Sequence, residues 1–450
     1  MKNKLKTHLI LYITISLISI LFTNNWCSSK EPSAEDTLVK TNEKIHITNV
    51  KDNTNNANTT IVKTGLEVLL EDNIELLKGK KVGIVTNPTG VTSGFVPNFI
   101  ALREKGVNVT SLFAPEHGIY GEKKAGEEVE SYNEKQTGLP VYSLYGITHS
   151  PSKKMLDEID VIIYDIQDIG VRSYTYISTM GIVMQAASKY GKEMYVLDRP
   201  NPLTGNKIEG PILEKKYESF VGKYPIPYIY GMTCGELAKM IVGEKWLKFK
   251  EEFEVNVIPM RGWKRDMVFD DTHLPWVPTS PHIPTAETPA YYAATGILGE
   301  LETMNIGVGY TMPFQLVGNT WIDGIKLANE LNSYKLEGVY FRPIFYQPYY
   351  FGYKNKICSG VHIYFTDIYK ANLTAVQFYV ISAIKKTHEN KDLLKNIPKN
   401  NINMFHKIVG TDKIEKEWND NKSVDEIITS WNSDIEDFKK IRDKYLIYKD

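Results

Sequence analysis

Polar side chains follow four predicted strands in the first half of the chain, each at the point where the strand ends. Asn87 follows the first strand, and Glu116 and His117 follow the second. Larger polar groups follow the other two strands: Asp165, Gln167, Asp168 and Arg172 after the third, and Asp198, Arg199 and Asn201 after the fourth. Because the carboxyl ends of parallel strands meet at one edge of a sheet, the sequence predicts that these side chains share a crevice.

The chemistry that such a crevice offers is acid–base catalysis by carboxylic acids. Glu116, Asp165, Asp168 and Glu209 are the acids near the predicted crevice. Cleavage of a glycosidic bond needs an acid that protonates the leaving oxygen and a group that stabilises an oxocarbenium-like centre. Glu116, which follows Pro115 at the end of a buried strand, is the best candidate for the acid.

Each of these residues also has a structural interpretation. Asp and Asn commonly cap helices and turns. Arg172 and Arg199 can either bind a substrate carboxylate or form an ion pair with a neighbouring Asp. His117 can either orient Glu116 or bond to the backbone of its own turn. A structural interpretation must explain all four strand ends at once, which favours a functional crevice.

The sequence lacks the motifs that mark nucleotide-binding sites, metal sites and serine hydrolases. The turn after the first strand is Thr86-Asn-Pro-Thr-Gly90 rather than G-x-G-x-x-G, and Pro88 removes an amide that would hold a pyrophosphate, so no nucleotide cofactor is expected. H-E-x-x-H is absent and the nine histidines form no ligand pattern, so no metal is expected. G-x-S-x-G is absent as well, and a serine or amide hydrolase using Ser280 with His117 or His282 is the weakest alternative.

Strands and helices alternate through the region that carries these residues. Strands are predicted near 81–87, 107–114, 160–165 and 192–197, with helices at 96–105 and 176–190. This spacing predicts an α/β fold in which a Rossmann-like parallel-sheet domain spans residues 64–230. A second, smaller α/β domain is predicted over residues 231–450 and completes the cleft.

Two segments of the second domain are predicted to lie near the cleft. Residues 274–290 contain five prolines, so they cannot be regular structure, and they carry His282. Residues 338–350 mix aromatic residues with prolines. These rings fit either a sugar-stacking platform or a packed seam between the domains, and the seam is favoured.

The beginning of the chain indicates export. Lys2, Lys4 and Lys6 precede the apolar run 9–22, which is typical of a secretory signal and short for a membrane span. Residues 1–27 are therefore predicted to be a signal peptide or signal anchor, the only expected membrane contact, and residues 28–63 a disordered tether. Asn24, Asn25 and Trp26 disfavour lipidation of Cys27. With a net charge of −1, no nucleic-acid partner is expected.

Several strings along the chain resemble the DUF1343 or NamZ-type exo-β-N-acetylmuramidase family, from about residue 65 to the C-terminus. They include Phe113-Ala-Pro-Glu-His-Gly118, Tyr164-Asp-Ile-Gln-Asp-Ile-Gly-Val-Arg172, Tyr174-Thr-Tyr-Ile-Ser-Thr-Met180, Leu197-Asp-Arg-Pro-Asn-Pro202 and Leu274-Pro-Trp-Val-Pro278. Each string is short, but their order is highly specific.

The resemblance implies a glycosidase that removes N-acetylmuramic acid from the non-reducing end of peptidoglycan fragments. It implies a cleft between two α/β domains, no metal or nucleotide, and retention of configuration with the 2-acetamido group of the substrate as a possible nucleophile. By this resemblance, Glu116 is expected to be the acid and Arg172 to bind the lactyl carboxylate. Asp168, Tyr174 and Asn201 are expected to line the cleft. Combined with the strand-end analysis, the predicted catalytic residues are Glu116, His117 and Asp168, and the predicted substrate-binding residues are Asn87, Gln167, Arg172, Tyr174, Arg199, Asn201, Glu209 and His282.

One segment departs from the family pattern. Members typically read E-G-T-N-x-S-x-G-R-G-T before P-F-E, whereas this chain has Val308 at the arginine position and Gln315 at the glutamate position. The alternative function that stays open is a cell-wall-glycan-binding protein that has kept the fold without turnover.

Overall fold

The structure is a computed structural model that describes residues 61–395 and 397–449. The predicted signal segment and residues 28–60 of the predicted tether lie outside this part of the chain. The last three residues of that tether are part of the fold. Val62 is buried and its N–H donates to the Thr272 carbonyl, and Lys63 forms a bridge with Arg261. The predicted tether is therefore too long by these residues.

The larger of two sheets has seven strands in the order β3-β4-β2-β1-β5-β6-β7, and only the β3–β4 pair is antiparallel. Its strands are β1 (Lys81–Thr86), β2 (Asn108–Ala114), β3 (Tyr132–Asn133), β4 (Pro140–Ser143), β5 (Val161–Asp165), β6 (Glu193–Leu197) and β7 (Asn256–Ile258). The chain builds outward from β1 to β2 and then crosses to β5 on the other side. That reversal is the position where open α/β sheets form a crevice.

Helices connect these strands as the sequence spacing predicts. The helices are α1 (Gly65–Val68), which continues through irregular turns to Leu77, α2 (Asn98–Glu104), α3 (Lys153–Leu156), α4 (Tyr176–Tyr190) and α5 (Cys234–Gly243). The α4 helix ends at Gly191, whose φ of 66° is a left-handed conformation that glycine adopts without strain. The predicted helix over 176–190 is confirmed.

The larger sheet continues beyond residue 230, where the sequence analysis ends the first domain. The β7 strand pairs with β6, and Gly235 of α5 lies so close to Val257 and Asp198 that a Cβ atom there would overlap both. The predicted boundary therefore falls inside the first α/β layer, because the pairing of β7 with β6 joins segments about 60 residues apart and is not encoded locally.

The smaller sheet is antiparallel, in the order β8-β10-β9. Its strands are β8 (Leu316–Asn319), β9 (Val339–Tyr346) and β10 (Cys358–Phe365), and its helices are α6 (Thr288–Gly299), α7 (Gly324–Ser333) and α8 (Leu373–Thr387). Phe341 and Ile363 face each other on adjacent strands and are buried. The predicted α/β architecture with a second, smaller α/β domain is confirmed.

Four helices complete the chain and carry it back to the larger sheet: α9 (Lys399–Val409), α10 (Lys413–Asn419), α11 (Val424–Ser430) and α12 (Asn432–Arg442). Ser423 and Glu426 form a capping box at the start of α11. Beyond α12, the Tyr448 hydroxyl donates to the Asp198 carboxylate at 2.7 Å. Among the described residues, no helix combines the length and the apolar character needed to cross a bilayer.

Candidate active site

The Glu116 carboxyl group lies directly after β2 and is held from two sides. Its Oε1 accepts the Gly126 N–H at 3.0 Å, and its Oε2 accepts the Thr175 hydroxyl at 2.7 Å. Thr175 occupies the N-cap position of α4, but its side chain makes no capping bond to the helix. The hydroxyl that would ordinarily cap the helix is directed at the carboxylate instead. Glu116 is thus positioned by its own loop and by the start of α4.

His117 has a strained backbone beside this acid. Its φ of 73° lies in the left-handed region, which costs free energy for a residue with a side chain. Its Nδ1 lies 2.8 Å from the Lys123 carbonyl oxygen. Because a carbonyl only accepts, Nδ1 carries the proton and Nε2 of the neutral ring is an acceptor. Of the two alternatives open for His117, the structure shows the bond to the backbone of its own turn.

His282 joins the proline-rich segment to this region. Its Nε2 lies 2.9 Å from the Tyr350 hydroxyl, and its ring stacks on Tyr350 with centroids 6.1 Å apart. Burial lowers the pKa of His282, and the nearby His117 imidazole lowers it further. His282 therefore ties the proline-rich segment to the loop after β9.

Tyr174 anchors the proline-rich segment to the start of α4. Its hydroxyl lies 2.7 Å from Thr279 Oγ1, and the hydroxyl of Tyr176 donates to the Thr279 carbonyl at 2.5 Å. The Tyr174 ring packs edge-on against Tyr176 with centroids 4.9 Å apart. Tyr174 therefore lies beside the residue that holds Glu116, and it positions the segment that carries His282.

Asn87 closes the turn after β1. Its Oδ1 accepts the Thr89 N–H at 3.0 Å and the Thr89 hydroxyl at 2.5 Å. The oxygen is therefore engaged as the structural interpretation of a turn Asn requires.

Arg172 does not reach the Glu116 site. It is fully buried, and its two terminal nitrogens donate to four carbonyls, those of Pro211, Ile226, Ile408 and Val409, at 2.6 to 2.9 Å. Burial lowers the pKa of its guanidinium to about 9. The predicted contact with a lactyl carboxylate is revised, because these carbonyls already use the guanidinium to join the first domain to the end of α9.

Asp168 is also sealed inside the protein. Its Oδ2 accepts the Gly170 N–H at 2.7 Å and the Tyr230 hydroxyl at 2.5 Å, while Oδ1 is buried without a partner among the described residues. Burial raises the pKa of this carboxyl to about 6. The predicted catalytic role is revised, since neither oxygen is presented to a crevice.

Arg199 adopts the ion-pair alternative. Its Nε lies 2.6 Å and its Nη2 3.1 Å from the two carboxylate oxygens of Asp165, and the Asn98 amide donates to the same carboxylate at 2.8 Å. Both charged groups are almost completely buried. The predicted substrate contact of Arg199 is therefore revised to a buried pair that joins the ends of β5 and β6.

The side chains of the remaining predicted binding residues form hydrogen bonds to backbone groups. Gln167 donates to the carbonyls of Asp168 and Pro200 at 2.7 and 2.6 Å, and Asn201 donates to the Met232 carbonyl at 2.9 Å. Glu209 lies 3.1 Å from the Lys207 ammonium and accepts the Thr374 N–H at 2.9 Å, at the start of α8. Burial raises the pKa of Glu209. The structure does not bring these three side chains to the Glu116 site.

Two residues outside the predicted site set adjoin Glu116, namely Thr175 and Tyr145. Burial, followed by the charge of Glu116, raises the pKa of Tyr145 to about 12, so its hydroxyl stays protonated near the acid. Thr175 stands between two residues of a quoted family string, and its place before a helix was the available signal. Nothing local marks Tyr145, because it approaches from a different part of the fold, whereas Tyr350 ends the aromatic segment that the sequence predicts near the cleft.

The segment that departs from the family pattern lies next to the loop that carries Tyr350. The Val308 side chain packs on the main hydrophobic core, and the Gln315 amide oxygen lies 3.3 Å from His362 Nε2 on β10. Gly309 of the same segment accepts the Tyr349 N–H at 2.7 Å. The departures are thus linked to the site through the loop that carries Tyr350.

Fold and site together define a two-domain α/β protein with a carboxylic acid held at a sheet edge. The family description "Exo-beta-N-acetylmuramidase NamZ, N-terminal" matches residues 82–287, and its C-terminal counterpart matches residues 290–448. The chain belongs to the exo-β-N-acetylmuramidase NamZ family. The predicted family and the predicted enzyme class, a glycosidase, are confirmed.

Individual relatives agree with this assignment. The chain is 43% identical over 389 residues to the peptidoglycan beta-N-acetylmuramidase NamZ of Bacillus subtilis strain 168, covering 86% of this chain and 91% of the relative. It is similar to a crystal structure of a DUF1343 family protein from Bacteroides fragilis, with a TM-score of 0.82, 44% identity, and coverage of 86% of this chain and 99% of that one. A second DUF1343 structure from the same organism has a TM-score of 0.69, 31% identity, and coverage of 87% and 100%.

Proposed function

We propose that this chain is an exported exo-β-N-acetylmuramidase that removes N-acetylmuramic acid from the non-reducing end of peptidoglycan fragments, with Glu116 as the general acid. The observation that carries the proposal is the Glu116 carboxyl group, held by the Gly126 amide and the Thr175 hydroxyl within a member of the NamZ family. A fixed carboxyl group beside a cleft is what protonation of a glycosidic oxygen requires.

In the proposed reaction, protonated Glu116 gives its proton to the glycosidic oxygen as the bond to the anomeric carbon breaks. The carbonyl oxygen of the substrate's 2-acetamido group attacks that carbon and forms an oxazolinium intermediate. Water then attacks the anomeric carbon, the Glu116 carboxylate accepts its proton, and the configuration is retained.

Nucleophilic participation of the substrate's acetamido group fits the way in which the other acids are bonded. Asp165 is paired with Arg199, Asp168 is bonded to Tyr230, and Glu209 is bonded to Lys207. A second carboxylate is needed when the enzyme supplies the nucleophile, and these three are engaged elsewhere. The Tyr145 hydroxyl, which stays protonated, is a donor that supports the charged form of Glu116 in the second step.

The serine-hydrolase alternative loses its catalytic pair. Among the described residues, no hydrogen bond joins the Ser280 hydroxyl to either imidazole: His117 bonds through Nδ1 to the Lys123 carbonyl, and His282 through Nε2 to the Tyr350 hydroxyl. A nucleophilic serine needs such an imidazole as its base.

Export completes the proposal. The basic residues Lys2, Lys4 and Lys6 before the apolar run 9–22 support secretion, and the proposed substrate is a fragment of the cell envelope. Cell fractionation followed by N-terminal sequencing tests this part. Recovery of the intact chain in the cytoplasm alone would contradict it.

The decisive experiment is incubation with the disaccharide of N-acetylmuramic acid β-linked to N-acetylglucosamine. Release of free N-acetylmuramic acid is expected, and a chelator in the assay reports on any need for a metal. Saturable binding of the disaccharide without release of any monosaccharide would favour the glycan-binding alternative. Cleavage of a glucosaminide in preference to a muramide would show that the substrate is different.

A further inference from the structure

Aromatic rings form a row along the rim of the Glu116 site. His282 stacks on Tyr350 and lies 6.0 Å from Phe351, whose ring is 5.1 Å from that of Tyr350. The row continues on the same loop with Tyr349, which stacks on Tyr310 at 5.8 Å. We call Tyr349, Tyr350 and Phe351 the aromatic rim.

These rings are exposed to solvent. Tyr349 is 63% exposed, Tyr350 41% and Phe351 55%, whereas Phe341 and Tyr346 of the preceding strand are buried. The packed seam that the sequence favours therefore accounts for Phe341 and Tyr346 but not for the loop. Three adjacent exposed aromatic side chains leave apolar surface uncovered, which marks a binding surface more often than an inert one.

The loop that carries the rim is fixed by backbone bonds. Tyr349 N–H donates to the Gly309 carbonyl at 2.7 Å, and Asn355 N–H donates to the Pro348 carbonyl at 2.9 Å. Gly309 has a φ of 92°, and a Cβ atom there would lie 2.4 Å from the Tyr350 carbonyl oxygen. A rim that is already ordered loses little conformational entropy when a ligand binds.

The rim begins close to the acid. His282 bonds to Tyr350 and belongs to the same proline-rich segment as Thr279, which bonds to Tyr174 directly before the Thr175 that holds Glu116. Glu116 and His117 are only 7% and 6% exposed, so the reacting sugar is held near the protein interior. An exo-acting enzyme leaves the rest of the glycan on the solvent side of the bond that it cleaves.

We propose that the aromatic rim is the aglycone subsite, where the apolar face of the N-acetylglucosamine ring on the leaving side stacks on Tyr349 and Phe351. This inference rests on the proposed function. Pyranose rings present axial C–H groups on one face, and aromatic side chains give them a large, rigid contact surface. The site then selects saccharide aglycones, because a smaller leaving group cannot reach the rim.

The test uses Tyr349→Ala and Phe351→Ala, with Tyr340→Ala as the matched control, since Tyr340 is an aromatic residue of β9 that is 53% exposed. Each variant is assayed on the disaccharide and on methyl β-N-acetylmuramide, which lacks an aglycone sugar. For the two rim variants, we expect KM for the disaccharide to rise about fivefold to 20-fold, and kinetics on the methyl glycoside to stay within about twofold. The control should match the wild type on both substrates.

Unchanged kinetics of both rim variants on the disaccharide would overturn the inference, and equal losses on both substrates would place the rim at the muramic acid instead. Failure of the proposed function is seen separately, because the wild type would then release N-acetylmuramic acid from neither compound. Disaccharide affinity measured by calorimetry in a Glu116→Gln background gives a second readout that does not need turnover. There, the same fivefold to 20-fold weakening is expected, and unaltered affinity would count against the rim.

Discussion

The end of β2 and the ends of β5 and β6 carry the same classes of residue at the same edge of one sheet, yet they do different work. After β2, the Glu116 carboxyl group bonds to a loop amide and to a hydroxyl at the start of α4. After β5 and β6, Asp165 pairs with Arg199, and Arg172 is enclosed by carbonyls. The position of a polar residue at a strand end therefore does not decide its role. The partners that the rest of the fold supplies decide it.

The covering segments explain the difference. The ends of β5 and β6 lie under residues 198–232 and under the end of the chain, which provide the Tyr230 and Tyr448 hydroxyls and the Val409 carbonyl as partners. A buried charge or polar group is tolerated only with such partners. The loop after β2 is met by the start of α4, which brings the Thr175 hydroxyl to the acid, and Tyr174 ties the proline-rich segment to the same helix start.

The largest effect is expected at the β2 end. Glu116→Gln keeps the shape of the side chain but removes its transferable proton. Turnover of the muramic acid disaccharide should fall by roughly 10³-fold or more, while the thermal unfolding midpoint changes little. Steady-state kinetics and calorimetric scans on the same preparation measure both. Turnover within tenfold of the wild type would remove Glu116 from the mechanism.

The next largest effect is a loss of stability, expected where Arg172 is buried beyond the end of β5. Arg172→Met removes a donor from four buried carbonyls, of which that of Ile226 keeps the Leu213 N–H, so the free energy of unfolding should fall by about 3 to 5 kcal/mol. The matched control is Arg261→Met, since Arg261 is half-exposed in its ion pair with Asp72, and about 0 to 1 kcal/mol is expected there. Urea denaturation compares the two. A stable Arg172→Met protein that loses affinity for muramides but not for glucosaminides would restore the lactyl-binding role.

A smaller loss is expected when the support of the acid is removed. Thr175→Val deletes the hydroxyl that donates to Glu116 at 2.7 Å and keeps the branched shape. We expect kcat to fall about 10-fold to 100-fold with little change in KM, because the acid is misplaced while the binding surface is intact. Thr175→Ser should recover most of kcat. If the serine variant is as impaired as the valine variant, the hydroxyl does not position Glu116.

The smallest effect is a change in the pH dependence of stability. The folded state holds the pKa of Asp168 at about 6 instead of 3.8, so it favours the protonated carboxyl. That stabilisation is fully present below about pH 4 and is lost as the pH rises through about 6. Asp168→Asn should therefore reduce the fall in unfolding free energy between pH 4 and 7 by roughly 1 to 3 kcal/mol.

Part of that pH dependence should survive in Asp168→Asn, because burial also raises the pKa of Asp198 to about 6. Unfolding in urea at several pH values measures the slope, and an unchanged slope would contradict the assignment. The variant should keep turnover within about tenfold of the wild type, in contrast with Glu116→Gln.

The sequence by itself determined the elements of the fold and the position of the acid. The helix over 176–190, the buried strands and the capping box at Ser423 follow from periodicity and from residues within a few positions of each other. Glu116 follows from a proline that ends a strand, and the family from strings that are contiguous in the chain.

Only the tertiary structure decided which strand-end residues are free to act. Arg172 meets Ile226 and Val409, which lie 54 and 237 positions away, and His282 meets Tyr350 across 68 positions. No local pattern encodes such pairings, because they arise when separate elements pack and each buried polar group takes the partner that it finds there. Local chemistry therefore places the polar residues at one edge of the sheet, and long-range packing separates the acid from the residues that hold the fold together.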